Sequence, residues 1–193
     1  AFLSVQKIFN NKHSLNLAMI YAPNRRGKVS PNTQEVYDLK GTKYNEYWGW
    51  QDGEKRNSRV KRVVEPIVIL NHDWIIDENS SLETSIGFQF GEMGNSRLGY
   101  AGGSNPSPAY YQDLPSYFLA DSNGPDYQGA YIAQENFVNN GQINWNRIYD
   151  ANITNNLANI NAAYVLYEDR VDDSQITFNS AYLREINDNI KIS

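Results

Sequence analysis

Leu82-Glu83-Thr84-Ser85-Ile86-Gly87-Phe88-Gln89-Phe90-Gly91 decides how the chain is read. Leu82, Thr84, Ile86, Phe88 and Phe90 fall on one parity, and Glu83, Ser85, Gly87, Gln89 and Gly91 on the other. A period of two is the signature of a strand with one apolar and one polar face. A slip of one residue would exchange the two faces, so the pattern also fixes the register.

The same alternation recurs on both sides of this stretch. Ala1–Phe9 and His13–Ala22 read as strands, with Leu15, Leu17, Met19 and Tyr21 on one face of the second. Val63–Ile76 puts Val64, Val68, Leu70, His72, Trp74 and Ile76 on alternate positions. Pro66 interrupts that run, because proline donates nothing to a ladder, and it is expected where pairing lapses. Gln175–Ile186 aligns Ile176, Phe178, Ser180 and Tyr182, and Ile190 and Ile192 open a sixth segment. Polar turns close three of the connections, at Asn10–His13, Asp77–Ser80 and Asn187–Asn189. Two long polar stretches, Pro23–Arg62 and Met93–Asp173, make the others.

Short and long connections that alternate in this way are unusual in a compact soluble domain. They are routine in a transmembrane β-barrel, with short periplasmic turns and long extracellular loops. The expectation is therefore all-β: an antiparallel transmembrane β-barrel segment of about six strands. Both ends of the chain fall inside predicted strands, so it reads as part of a longer one. A soluble or surface-displayed β-rich module that binds carbohydrate or peptide has the same periodicity and is the alternative. The strand faces discriminate the two, since Arg or Lys facing mid-bilayer costs about 2–4 kcal/mol. The central apolar positions of the fourth strand carry no such charge, and Arg184 in the fifth falls near its turn end.

Composition agrees with a half-apolar wall. The chain has 193 residues, 40% of them hydrophobic, and a mean hydropathy of −0.63. No run of eighteen apolar residues exists that could form a spanning helix. A net charge of −5 disfavours a nucleic-acid partner. The absence of cysteine excludes disulfides, thiol nucleophiles and cysteine metal sites. Fourteen Tyr, seven Phe and four Trp suit membrane-interface girdles, and equally surfaces that bind sugars or peptides.

Asn11-Lys12-His13-Ser14-Leu15-Asn16-Leu17 resembles a periplasmic turn and rising strand of outer-membrane receptors. Ser30-Pro31-Asn32-Thr33-Gln34-Glu35 and Tyr44-Asn45-Glu46-Tyr47-Trp48-Gly49-Trp50-Gln51-Asp52-Gly53 are similar to an extracellular loop of Bacteroidetes TonB-dependent receptors. Tyr110–Tyr117, Ile143–Tyr149 and Tyr167–Arg170 resemble that family in the same order, across nearly the whole chain. The resemblance implies a 22-stranded barrel with an amino-terminal plug, located in the bacterial outer membrane. It implies nutrient import driven through TonB, with outer-membrane lipid around the wall and a surface lipoprotein as a further partner. No plug and no TonB box lies in 1–193, which would be the barrel portion alone.

No enzyme is expected. His13 lies in a turn and His72 on a strand, away from any nucleophile motif or paired carboxylates. Glu168, Asp169, Asp172 and Asp173 read as a solvated loop face. Asp121-Ser122-Asn123-Gly124-Pro125-Asp126 has its glycine too early for a calcium loop and reads as an Asx-rich turn. No metal or cofactor is expected. Substrate contact is assigned to loop aromatics and basic residues: Arg25, Arg26, Tyr44, Tyr47, Trp48, Trp50, Tyr110, Tyr111 and Trp145. The second long stretch is too aromatic for disorder, so it should fold against Trp48 and Trp50 and close the barrel mouth.

Overall fold

The structure is a computed structural model that describes residues 1–100, 102–187 and 190–193. It is β-rich and antiparallel, 47% strand and 22% helix, and the sheet does not close into a barrel. The chain divides into two units. The first comprises Ala1–Arg25, Arg62–Gly94 and Arg170–Ser193; the second comprises Arg26–Lys61 and Asn95–Asp169.

The first unit is sheet. β1 (Phe2–Ile8) pairs with β2 (His13–Ile20), the next strands in chain order being β3 (Asn24–Gly27), β4 (Trp48–Gln51), β5 (Glu54–Asn57) and β6 (Val60–Val64). β2 pairs with β7 (Ile67–Asp77), and β7 with β8 (Ser80–Gly99). β9 (Val165–Asn187) pairs with β8 and with β10 (Ile190–Ile192). β6 and β3 continue the order beyond β8, and β3, β6, β8 and β9 contribute residues to both units. The predicted third strand is thus two strands: Glu65 and Pro66 separate β6 from β7. Gly91 faces that break with φ 146°, and a Cβ there would land on the Val64 carbonyl. The fourth and fifth strands are longer than predicted, since alternation fades beyond Gly91 and before Gln175 while the ladder continues. The turn at Asp77–Ser80 is a two-residue hairpin. Of the predicted turn Asn187–Asn189, Asp188 and Asn189 lie outside the described residues.

Register assigns the faces. Val5, Leu17, Leu70 and Ile86 form one cross-strand row, and Leu3, Met19, Val68 and Phe88 the next. The Thr84–Ser180 side-chain contact puts Ile176, Phe178 and Tyr182 on the same parity. Lys7 is the one charged residue on this face of the β1–β2–β7–β8 rows, and its Nζ lies 5.3 Å from the Phe9 ring centroid. Toward the turn end the face carries His13, stacked on His72 and Trp74. Phe88 and Phe90 stack at 5.0 Å further along. The opposite face is mixed: Gln6, Asn16, Asn71 and Ser85 share a polar row, while Ile20 and Ile67 pair nearer the other end, beside Ile69. Asn16 donates to Ser4 at 3.0 Å, Ser14 to Asp73 at 2.9 Å and Ser85 to Asn71 at 2.7 Å.

The second unit holds what the two long stretches become. The first is not a plain loop: it contains β3, α1 (Gln34–Lys40), the β4–β5 hairpin and the start of β6. The second begins and ends in strand and carries α2 (Pro115–Leu119), α3 (Tyr127–Asn140) and α4 (Trp145–Leu157). The all-β expectation is corrected here, because backbone groups in these stretches are satisfied by capped helices. Thr33 caps α1, Asp126 caps α3 and Asn144 caps α4, each side chain accepting a first-turn N–H. Two cores hold the unit. Val36 and Tyr44 from the first stretch pack with Leu114 and Phe137 from the second. Ile143, Trp145, Ile148, Ala163 and Tyr164 form the other.

Candidate functional site

A cleft that gathers three of the seven sequence-assigned rings, Tyr47, Tyr110 and Tyr111, lies within the second unit. It encloses about 420 Å³ and is lined by Glu46, Tyr47, Arg59, Tyr100, Tyr110 and Tyr111, among others. That volume falls within the range of small-molecule sites, roughly 300–1,000 Å³. Local structure sets each wall. Asn45 Oδ1 accepts from the Tyr47 N–H at 2.9 Å and turns the chain into β4. Asn57 Oδ1 accepts from the Arg59 N–H at 2.7 Å as β5 ends. Tyr110 precedes a single 3₁₀ turn, Tyr111–Asp113, that leads into α2.

The Arg59 guanidinium sits 4.6 Å above the Tyr47 ring centroid. Ser30 and Ser107 hydroxyls donate to the two oxygens of Glu46. Tyr110 and Tyr111 meet edge to face at 4.9 Å, and Tyr111 meets Tyr117 likewise at 5.9 Å. Tyr111 is 60% exposed and Tyr100 45%, so both present open ring surface. Desolvation, then the adjacent Tyr111, raise the Tyr110 phenol above its ordinary range. The cleft offers flat apolar faces tipped with hydroxyls, one guanidinium and one carboxylate. These groups suit recognition by stacking and hydrogen bonding.

The other assigned residues fall elsewhere. Trp145 is 2% exposed; its Nε1 donates to the Arg56 carbonyl at 3.2 Å and the Arg56 guanidinium covers its ring at 4.2 Å. Tyr44 is buried against Phe137, and its hydroxyl has no hydrogen-bond partner among the described residues. Burial, and then Glu46, hold that phenol well above its usual range. Both rings serve packing. Trp48 and Trp50 meet edge to face at 5.7 Å, with the Lys55 ammonium 4.7 Å from the first and 5.4 Å from the second. The Ile143 N–H donates to the Trp48 carbonyl at 3.1 Å, and a Cβ on Gly49 would strike the Ile143 carbonyl. The second stretch thus does fold against Trp48, whereas Trp50 stays 56% exposed. Arg25 and Arg26 are exposed on β3, Arg25 in the first unit and Arg26 in the second.

Sequence reasoning missed Arg59, and counted Tyr100 among the loop rings without assigning it to the site. Arg59 is one of five basic residues in Lys55–Arg62, and only the fold singles it out beside Tyr47. A cleft of about 530 Å³ along α3, between Phe118, Ile132 and Phe137, contains none of the assigned rings. Comparison with family models, curated proteins and solved structures gives no match.

Proposed function

We propose that the chain is part of the β-barrel wall of an outer-membrane receptor that imports a nutrient with TonB-derived energy. In this reading the second unit takes part in capturing the substrate.

One observation carries the reading: the sheet has no core. Every buried hydrophobic residue among those described belongs to the second unit. On the sheet's apolar face Leu17, Leu70, Ile86 and Phe88 are 40–45% exposed and Ile176 74%, while Leu15, Val68 and Leu82 are half-buried. Monomeric soluble proteins rarely expose so wide a contiguous apolar patch. Lipid stabilises such a face without burying it in protein. Leu82 to Phe90 is eight residue steps, about 27 Å of strand. At a tilt of about 40° this covers roughly 20 Å, close to the apolar band of outer-membrane barrels. The ring clusters at His13–Trp74 and Phe88–Phe90 fit the girdles that flank such a band. The sequence resemblance supports the same class and supplies TonB as a partner.

The second unit, with two cores of its own, is what favours the alternative of a displayed binding module. Single cysteines in the full receptor, probed with a lipid-confined spin relaxant, separate the two. Membrane insertion predicts high lipid accessibility at Ile86 and Phe88 and low accessibility at Glu83 and Ser85. Equal accessibility on both faces, or a detergent-free monodisperse monomer, defeats the barrel reading. Removing residues 102–137 would be a poor test of substrate capture, because it deletes Leu114 and Phe137 from a core. Point changes at Tyr110 and Tyr111 address the site directly.

A further inference from the structure

The tyrosine cleft carries a chemical signature more specific than a general aromatic surface. Its cation is held but not used. Arg59 is fixed over Tyr47 at 4.6 Å, and its guanidinium makes no hydrogen bond or ion pair among the described residues. A stacked guanidinium loses little freedom when it pairs with an oxyanion, and its fork matches a carboxylate. The cleft's carboxylate is in the opposite condition: Ser30 and Ser107 already donate to both Glu46 oxygens. Arg59 is exposed, so of the two charges in the cleft the cation is the one left open to a ligand. Tyr100 and Tyr111 supply exposed ring faces in the same cleft. Asn105, which also lines it, accepts from the Ser107 N–H through Oδ1 and keeps its amide N–H2 to donate to a hydroxyl group.

We propose that this cleft binds an acidic carbohydrate, whose pyranose C–H face stacks on Tyr100 or Tyr111 while its carboxylate pairs with Arg59. A flat aromatic acid would match the rings and the cation but leave the Asn105 amide without a partner. A neutral sugar would leave Arg59 unpaired. The inference rests on the assignment of the second unit to substrate capture; it does not need transport itself.

The test uses the full receptor purified in detergent. The probes are uronate trisaccharides (galacturonate, mannuronate and guluronate) and their methyl esters, which keep the stacking faces and lose the charge. Calorimetry should find at least one acid bound about tenfold or more tighter than its ester. Arg59→Gln should erase that preference, bringing the acid to the affinity of its ester. Tyr111→Ala should weaken acid and ester alike. Raising the salt from 50 to 300 mM should weaken only the acid, since screening acts on the charged pair. Equal affinity for acid and ester, or an acid preference that survives Arg59→Gln, overturns the acidic class. No binding of any of the three acids overturns the proposal as a whole. Heat-modifiable migration of the same preparations reports barrel folding separately, so failure of the ligand and failure of the barrel reading give different results.

Discussion

The two units bury their apolar residues in opposite ways. The second packs Val36, Phe137, Trp145 and Ile148 inward and keeps a conventional core. The first alternates as regularly as any strand can, and then leaves Leu17, Leu70, Ile86 and Phe88 uncovered. Regular periodicity therefore says which residues share a face. It says nothing of what covers that face, whether protein or lipid.

The largest effects should break the second unit and spare the first. Trp145→Ala opens a cavity in a core and should cost the unit about 3–5 kcal/mol. Proteolysis in the 102–164 region should accelerate sharply while heat-modifiable barrel migration persists. Loss of both together would show that the units do not fold independently.

Next come substitutions that compare the faces of the sheet. If the proposed membrane reading holds, Ile86→Arg should destabilise the inserted sheet by about 2–4 kcal/mol, and Ser85→Arg by far less. Denaturant titration in liposomes measures both. Equal costs would remove the distinction between a lipid face and a polar face. Asn144→Ala removes the side chain that accepts from the Arg147 N–H at 2.9 Å and should cost about 1 kcal/mol. That loss should register in protease resistance of the second unit and not in barrel stability.

The smallest effect is spectroscopic. The Arg56 guanidinium, then Gln51, hold the Tyr149 phenol below its ordinary range, whereas Tyr44 is held above it. A depressed acid contributes stability at pH above its unfolded value, and that contribution fades as pH falls through the folded one. An ultraviolet titration should lose its earliest phenolate component in Tyr149→Phe. A curve unchanged in its low-pH portion would contradict the Arg56 contact.

The sheet was legible in the sequence because Leu82–Phe90 and His13–Tyr21 alternate cleanly and polar turns bound them. The helices were not, because their apolar residues do not gather on the buried side. On α3 the buried positions include the small Ala130 and Ala133, while Tyr127 and Tyr131 are exposed. On α4, Ile153 and Leu157 face outward. The caps were the usable signals: Thr33, Asp126 and Asn144 each open a helix. Of the assigned site residues, Tyr47, Tyr110 and Tyr111 do converge. Trp145 could not be told from a ligand contact by sequence, because a ring that anchors a core looks the same as one that awaits a sugar.

Glu35 of α1 accepts from the Ser116 N–H across 81 residues, and Lys40 donates to the Val138 carbonyl across 98. Contacts so distant in sequence make assembly slow, because closure entropy comes before any packing reward. Val36 and Tyr44 therefore lack Leu114 and Phe137 until the second stretch is delivered, and Trp48 lacks its bond to Ile143. Throughout its passage to the place where it folds, the aromatic segment around Tyr44–Trp50 would travel uncovered. A holding chaperone acting on this polypeptide should find its preferred grip there, and should be released as the second segment arrives.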